Sequence, residues 1–332
     1  YQYEPEISFN KNNVIFFDNK GTILNFDQNS NLLWKKNHYS KIEQKQNPIL
    51  FFANNNKSLI VTDNITKFYA LDVDTGELLW SKKNAAPFNS QIKIYKDKFF
   101  VVDFENILRS FSIESGKEIW NVKTEKSLVR SQKKLSIIIQ NGKIFFNNSL
   151  GYISSVNVKT GELIWQIPTQ SSIIHDESFF LKTSDLIADE EALYFSNNKN
   201  QFFSIDMQTG SINWEQKINS SLRPTLIDNY LFTVSSKGYL IVIERNTGNI
   251  VRINDIFKFI KKSKRTKINP TGFIIGTNNI YLTTSHGRIV KIDTASGKII
   301  SAMKVSNNKI SRPAILNQDL FIIADNSIIK LN

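Results

Sequence analysis

Cysteine is absent from this chain of 332 residues. Its absence excludes disulfide bonds, thiolate metal sites and a cysteine nucleophile. Histidine is nearly as scarce, and His38, His175 and His286 lack the spacing with which histidine and carboxylate side chains chelate a metal. Neither a glycine-rich phosphate-binding loop nor a Ser-His-Asp order is present. We therefore expect no catalytic residue, no metal site and no bound cofactor.

Long apolar runs are missing as well. No segment approaches the roughly 18–20 consecutive apolar residues of a membrane-spanning helix, and we expect no signal peptide at Tyr1. Hydrophobic residues nevertheless make up 41% of the chain, which is ample for a buried core. The composition favours a globular fold and leaves the cellular compartment open.

Glycine is used sparingly, and ten of the 13 glycines fall on two fixed positions of an internal repeat. The clearest copy, residues 68–80, has an alternating apolar stretch, an Asp-x-Asp-Thr-Gly turn and a second apolar stretch that ends at Trp80. This pattern predicts a β-hairpin in which Gly76 takes a left-handed backbone conformation. Further copies span residues 108–120, 153–165, 202–214, 240–252 and 289–301.

All five tryptophans occupy one position of this repeat, which predicts a structural docking role rather than a cofactor site. They are Trp34, Trp80, Trp120, Trp165 and Trp214. The copies at residues 240–252 and 289–301 lack the tryptophan, and we expect smaller apolar contacts there. A weaker first copy spans residues 23–34 with Asn31 at the glycine position, and a truncated copy begins at Ile328.

The copies recur every 38 to 49 residues, and each follows two further predicted strands. A β-rich unit of this period indicates a propeller blade of four antiparallel strands. We predict an all-β fold, a single eight-bladed β-propeller domain over residues 1–332. The blades are expected at about residues 5–35, 47–81, 91–121, 135–166, 184–215, 222–253, 271–304 and 312–332. Because the last blade has only three strands, residues 1–4 should pair with residues 328–331 and close the ring.

The net charge of +12 is concentrated in two connectors between predicted blades. Residues 121–134 contain five basic residues against one acidic residue, and residues 253–270 contain six against one. Connectors of this kind share one face of a propeller, and loops on a rigid scaffold commonly carry function. We therefore look for a binding surface there, although basic loops are equally typical of simple solvated surface.

The pattern Ala-x-Asp-x-x-Thr-Gly-x-x-x-Trp, carried by residues 70–80, resembles the tryptophan-docking repeat of quinoprotein-type (PQQ-like) propellers. Two families share this repeat: the PQQ-dependent dehydrogenases, and BamB, the lipoprotein propeller of the outer-membrane β-barrel assembly (BAM) machinery. The chain is more similar to the BamB family in its length and in its end at the third strand of blade eight. Residues 295–305 also resemble the seventh blade of that family, where the tryptophan is missing too.

The resemblance to BamB implies a non-enzymatic scaffold in the periplasm, held at the outer membrane by a possible lipid anchor outside this chain. It implies a BamA-like POTRA domain of the BAM complex as the partner, and no binding of nucleic acid. The Leu-x-Leu-Arg contact loop of the family matches residues 127–130, with Ser127 on the first leucine. The expected partner-binding residues are Leu128, Val129, Arg130 and Asp185, with Lys261, Lys262 and Lys264 added for their charge.

Two other functions remain open. A PQQ-dependent dehydrogenase-like enzyme would hold PQQ and calcium in its central channel, but that family carries an adjacent cysteine pair, which this chain lacks. A basic propeller of this kind could instead bind nucleic acid or anionic lipid, with an affinity that falls steeply with salt.

Overall fold

Each complete copy of the repeat forms a β-hairpin in the computed structural model, which describes residues 7–124, 134–169, 181–325 and 327–331. In the copy at residues 68–80, the Asp72 carboxylate accepts hydrogen bonds from the amides of Asp74 and Thr75 at 3.1 and 2.9 Å. Gly76 follows with φ at +73°, and its amide donates to the Asp72 carbonyl. A side chain disfavours this left-handed conformation, so the turn requires the glycine.

Every hairpin of this kind pairs with a preceding hairpin to form an antiparallel sheet, in which the third strand contacts both the second and the fourth. In the second sheet, for example, Val61 pairs with Tyr69, and Ala70 pairs with Trp80. The described residues contain seven four-stranded sheets and one three-stranded sheet. This arrangement confirms the predicted fold class, an all-β eight-bladed propeller.

Residues 1–181 and residues 182–332 form two compact units. Within the described residues, the first unit contains four blades and one short helix, α1 (Lys41–Gln44), in the connector between the first two blades. Its strands are β1 (Ser8–Asn10), β2 (Asn13–Phe17), β3 (Thr22–Phe26), β4 (Leu32–Asn37), β5 (Leu50–Asn54), β6 (Ser58–Asp63), β7 (Lys67–Asp72), β8 (Leu78–Lys83), β9 (Lys93–Tyr95), β10 (Lys98–Val102), β11 (Ile107–Ser112), β12 (Glu118–Lys123), β13 (Ile137–Gln140), β14 (Lys143–Asn147), β15 (Tyr152–Asn157) and β16 (Leu163–Pro168).

The second unit contains the other four blades and one short helix, α2 (Lys262–Arg265), between blades six and seven. Its strands are β17 (Ile187–Ala188), β18 (Ala192–Asn197), β19 (Gln201–Asp206), β20 (Ile212–Gln216), β21 (Thr225–Ile227), β22 (Tyr230–Val234), β23 (Tyr239–Glu244), β24 (Ile250–Asp255), β25 (Pro270–Ile275), β26 (Asn279–Thr284), β27 (Arg288–Asp293), β28 (Ile299–Lys304), β29 (Ala314–Leu316), β30 (Asp319–Ala324) and β31 (Ser327–Leu331).

The first copy of the repeat departs from the sequence-based expectation. Ser30, rather than Asn31, has the left-handed conformation, with φ at +67°. The reason is a shorter turn: the Ser30 amide donates to the carbonyl of Asp27 three residues earlier, whereas Gly76 reaches back four residues. The left-handed position therefore moves one residue toward the start of the turn.

The eighth blade has three strands within the described residues, β29, β30 and β31. The strand expected to complete it, residues 1–4, lies outside the described residues. Ring closure by the two ends of the chain therefore stays a prediction.

Connectors between blades lie against the turns that join second and third strands. In the first unit the Asn84 amide donates to the Thr66 carbonyl at 2.8 Å. In the second unit the Ser285 amide donates to the Asn269 carbonyl at 2.8 Å. Because each connector is tied to a neighbouring turn in this way, its exposed side chains are presented from a defined backbone.

Candidate partner-binding surface

Three of the tryptophans donate a hydrogen bond to a backbone carbonyl of the next blade. Trp80 Nε1 donates to the Ile113 carbonyl at 2.8 Å, and Trp34 donates to Val73 at 3.2 Å. In the second unit Trp214 donates to the Arg245 carbonyl at 2.7 Å. In all three cases the acceptor is the second residue of the hairpin turn in the following blade.

The indole rings also lie on the turn glycines of the following blade. A Cβ atom at Gly116 would lie 2.6 Å from the ring of Trp80, and one at Gly161 would lie 2.8 Å from Trp120. Glycine is therefore required at this position for two reasons: the backbone conformation is left-handed, and the indole ring approaches so closely that a side chain would overlap it. Trp120 Nε1 is buried without a hydrogen-bond partner, so this tryptophan acts through packing alone. Trp165 is partly buried beside Phe145, with 5.8 Å between ring centroids.

Blade six carries Arg252 where the earlier blades carry tryptophan. Apolar residues of blades six and seven form one buried cluster, as predicted, but at the tryptophan position itself the contact is polar. Arg252 donates from one terminal nitrogen to the Thr294 carbonyl at 2.9 Å and from the other to the Ala295 carbonyl. Thr294 is the second residue of its turn, so the guanidinium uses the same acceptor position as the indoles. The polar replacement works because the acceptor is backbone rather than an apolar pocket. Nothing in the sequence pattern signals it.

Three of the expected partner residues, Leu128, Val129 and Arg130, lie outside the described residues. Asp185 is described, and its carboxylate lies 3.8 Å from the Arg312 guanidinium, with the aspartate side chain 19% exposed. The preceding Ser184 is buried, and its hydroxyl accepts a hydrogen bond from the Ser196 amide. Asp185 is thus held close to the body of its blade and presents little surface to a partner.

Lys261, Lys262 and Lys264 lie on the connector between blades six and seven, and all three are exposed. This connector, residues 256–268, contains helix α2 and is called the lysine platform below. Lys258 and Lys267 are exposed on it as well, so it presents five lysines within ten residues. Within the described part of the chain, none of the five forms an ion pair.

Apolar residues anchor both ends of the lysine platform. Ile256, Phe257 and Ile268 are buried in a cluster with core residues of blades six and seven. The Phe257 ring lies so close to Gly238 that a methyl group there would overlap it. The Ile256 amide donates to the Gly238 carbonyl at 3.0 Å. The position of the backbone that carries the lysines is therefore fixed by packing in the core.

Arg265 is the one cation of the platform that is used internally. Its Nε donates to the Ile260 carbonyl at 2.8 Å, and a terminal nitrogen lies 2.7 Å from the Asp255 carboxylate. The other oxygen of Asp255 accepts a hydrogen bond from the Phe257 amide at 2.9 Å. Arg265 thereby links the beginning of the platform to its helix. The number of basic residues in the sequence does not reveal this internal role.

The connector between blades one and two, residues 38–48, has a similar plan and is called the tyrosine connector below. A Cβ atom at Gly21 would lie 2.6 Å from the ring of Tyr39. The Tyr39 hydroxyl donates to the buried Asp63 carboxylate at 2.7 Å. Burial raises the pKa of Asp63 to about 6, against the lowering effect of hydrogen bonds from Tyr39 and from the Ile65 and Lys67 amides. Burial likewise raises the pKa of Tyr39 well above its usual value.

No group of three or more metal-ligating side chains occurs within residues 7–124, 134–169, 181–325 and 327–331. In the same ranges, no helix is both long enough and apolar enough to cross a membrane.

Comparison with known proteins gives one family and several solved structures. The family model described as outer membrane protein assembly factor BamB matches residues 19–254. BamB from Moraxella catarrhalis superposes with a TM-score of 0.76 at 16% sequence identity, covering 98% of this chain and 92% of that one. The computationally designed protein Ika8 gives 0.76 at 12% identity, covering 99% and 96%, and Saccharomyces cerevisiae Sqt1 gives 0.74 at 10%, covering 97% and 93%. A search of curated protein sequences finds no significant match.

Proposed function

Because the chain belongs to the BamB family of outer membrane protein assembly factors, we propose that it is a non-enzymatic scaffold of the BAM complex. In this function it assists the insertion of β-barrel proteins into the outer membrane by binding a BamA-like POTRA domain. It would act in the periplasm, held at the outer membrane by a lipid anchor outside this chain. The observation that carries the proposal is the match of residues 19–254 to the family model.

The proposed contact is the connector between blades three and four, at Leu128, Val129 and Arg130. Two apolar side chains beside an arginine suit a small interface, because arginine and buried apolar anchors commonly dominate binding energy. An acidic group on the partner would complete the site. Asp185 is proposed as a secondary contact, and its pairing with Arg312 limits the charge that it can offer to a partner.

Lys261, Lys262 and Lys264 are proposed to act on the same partner at longer range. Charges at the rim of an interface mostly raise the association rate and its dependence on salt. Exposed lysines without ion pairs suit this function, since no internal partner competes for their charge. We expect them to affect the rate of encounter more than the lifetime of the complex.

Surface plasmon resonance with the POTRA segment from the same organism tests the proposal. Loss of a hot-spot arginine costs about 2–4 kcal/mol of binding free energy. We therefore expect Arg130→Glu to raise the dissociation constant by at least roughly 30- to 1000-fold. The matched control is Arg223→Glu, which makes the same charge change at an exposed arginine elsewhere. Equal affinities for the wild type and Arg130→Glu would move the interface to another loop. Absence of binding by the wild-type chain would refute the proposed partner.

A further inference from the structure

We propose that the lysine platform docks this protein onto the surface of an anionic lipid bilayer. The proposal goes beyond the POTRA contact at residues 128–130, because it depends only on residues 256–268. Steering a partner requires positive charge and nothing else. The platform has two further properties, a fixed shape and an exposed aromatic ring among the charges.

The fixed shape follows from the contacts at both ends of the segment. Ile256 and Phe257 are buried at its beginning and Ile268 at its end, while Arg265 joins the Ile260 carbonyl to the Asp255 carboxylate. Helix α2 lies between these anchors. A surface that is ordered before binding loses less conformational entropy when it docks. The five exposed lysines are therefore carried on a backbone that is already ordered.

The aromatic ring is Phe259, which is 43% exposed although Phe257, two residues earlier, is 1% exposed. It lies between Lys258 and Lys261 in the sequence. Exposure of a phenyl ring to water is unfavourable, and transfer into the boundary between lipid headgroups and acyl chains removes that cost. Aromatic residues interleaved with lysines are typical of segments that lie in a membrane interface.

The chemistry of the cations distinguishes a lipid surface from nucleic acid. All five free cations are lysines, and the single arginine is occupied by Asp255 and Ile260. Lysine acts as a point charge and suits diffuse headgroups, whereas recognition of phosphates and base edges in defined geometry favours arginine. One exposed phenyl ring is also a poor match for single-stranded nucleic acid, which is bound by several stacked aromatic side chains.

The test measures partition of the 332-residue chain, carrying no lipid, onto two kinds of vesicle by sedimentation. One is pure phosphatidylcholine, and the other contains phosphatidylglycerol as well. The wild type should bind the anionic vesicles and not the neutral ones, less strongly as salt increases. Each lysine near an anionic surface contributes about fivefold to partition, so replacing Lys261, Lys262 and Lys264 together by Gln should lower it roughly 100-fold. Phe259→Ala should lower it about three- to fivefold.

The matched control replaces Lys35, Lys57 and Lys117, three exposed lysines outside the platform, by Gln. It makes the same change in net charge, and we expect little loss of partition. Circular dichroism and the thermal midpoint confirm that each variant is folded. An equal loss in both triple variants would show that total charge, not the platform, controls binding. Equal binding to both kinds of vesicle, or to neither, would overturn the proposal.

Two further results would assign the platform to another partner. Tighter binding to duplex DNA than to anionic vesicles, abolished by the platform triple variant, would favour nucleic acid. Loss of POTRA binding in that variant, with no vesicle binding by the wild type, would make the platform part of the protein interface. Because Arg130→Glu leaves the platform unchanged, failure of the POTRA proposal and failure of the lipid proposal give different outcomes.

Discussion

The tyrosine connector and the lysine platform occupy the same step of the repeat, after the fourth strand of a blade, and share a design. Each places an aromatic ring on a glycine of the preceding blade, Tyr39 on Gly21 and Phe257 on Gly238. Each then forms a single helical turn, α1 or α2. Their chemistry differs, because only one of the two rings carries a hydroxyl group.

In the tyrosine connector the hydroxyl group of Tyr39 forms a hydrogen bond with a buried carboxylate, and charged side chains pair around it. Tyr39 donates to Asp63, and Lys67 lies with its ammonium 4.8 Å from the tyrosine ring centroid and 3.5 Å from the Glu43 carboxylate. Phe257 offers no such hydrogen bond, and the free lysines of the platform face solvent. One connector design can therefore support either an internal network of satisfied hydrogen bonds and ion pairs or a charged outer surface. The two anchoring rings, Tyr39 and Phe257, differ by the one oxygen atom of the tyrosine hydroxyl group.

The largest effect should come from removing an anchoring ring. Phe257→Ala leaves a cavity at a site that is 1% exposed and should lower the free energy of unfolding by about 3–5 kcal/mol. Tyr39→Ala should cost a similar amount, because it also removes a hydrogen bond to a buried carboxylate. Urea denaturation followed by tryptophan fluorescence measures both. Phe259→Ala is the matched control and should stay within about 0.5 kcal/mol. Equal losses at Phe257 and Phe259 would contradict the anchoring assignment.

A smaller effect should appear as a dependence of stability on pH that arises from Asp63, the partner of the tyrosine connector. Asp63 has a folded-state pKa of about 6 against an ordinary value of 3.8, so the folded state holds its proton more tightly. Its contribution to stability is complete below about pH 3.8, is lost as the pH rises through about 6, and is constant above that. The loss should reach at most about 3 kcal/mol.

Other carboxylates also titrate in this range, so the measurement is the difference between the wild type and Asp63→Asn. The free energy of unfolding of the wild type, relative to the variant, should fall between about pH 4 and pH 6. A relative stability that rises over the same range would show that hydrogen bonds to the carboxylate outweigh its burial. Phe257→Tyr brings no carboxylate with it and should not reproduce the effect.

The smallest effect concerns the two helical turns. Ser40 caps α1, accepting from the Glu43 amide while Glu43 accepts from the Ser40 amide, whereas Lys261 precedes α2 without a side-chain cap. Ser40→Ala should therefore cost about 0.5–1 kcal/mol of stability. Lys261→Ala should change stability by less than about 0.5 kcal/mol. Thermal denaturation measures both. A loss of stability in Lys261→Ala as large as in Ser40→Ala would mean that Lys261 is structural.

The repeated features of this fold could be predicted from the sequence because each occurs in several copies of the repeat, and the copies support one another. The positions of Trp80 and Gly76 are occupied by the same residue types in several copies, with constant spacing. A glycine that recurs at one position of a turn indicates that the backbone there is left-handed. Contacts made once could not be predicted in this way. The hydrogen bond from Tyr39 to Asp63 and the ion pair of Asp185 with Arg312 join residues far apart in sequence, and no second copy reveals them.

The lysine platform lies between these cases. Its charge is visible in the sequence, but its anchoring is not, because Phe257 and Phe259 are the same residue type two positions apart. Only packing against Gly238 separates the buried ring from the exposed one. Arg252 was missed for a related reason. A search for apolar replacements of tryptophan overlooks a donor whose acceptor is the backbone.

The backbone acceptor of the docking side chains has a consequence for how such a chain diverges over evolutionary time. The residues whose carbonyls accept the indole or guanidinium donors differ in every case, because any amino acid supplies a carbonyl there. They are Val73, Ile113, Arg245 and Thr294. A blade can therefore be duplicated or can drift without a matching substitution in its neighbour, provided the turn keeps its shape. The fold that this chain shares with Moraxella catarrhalis BamB at 16% identity places few demands on sequence at such acceptor positions.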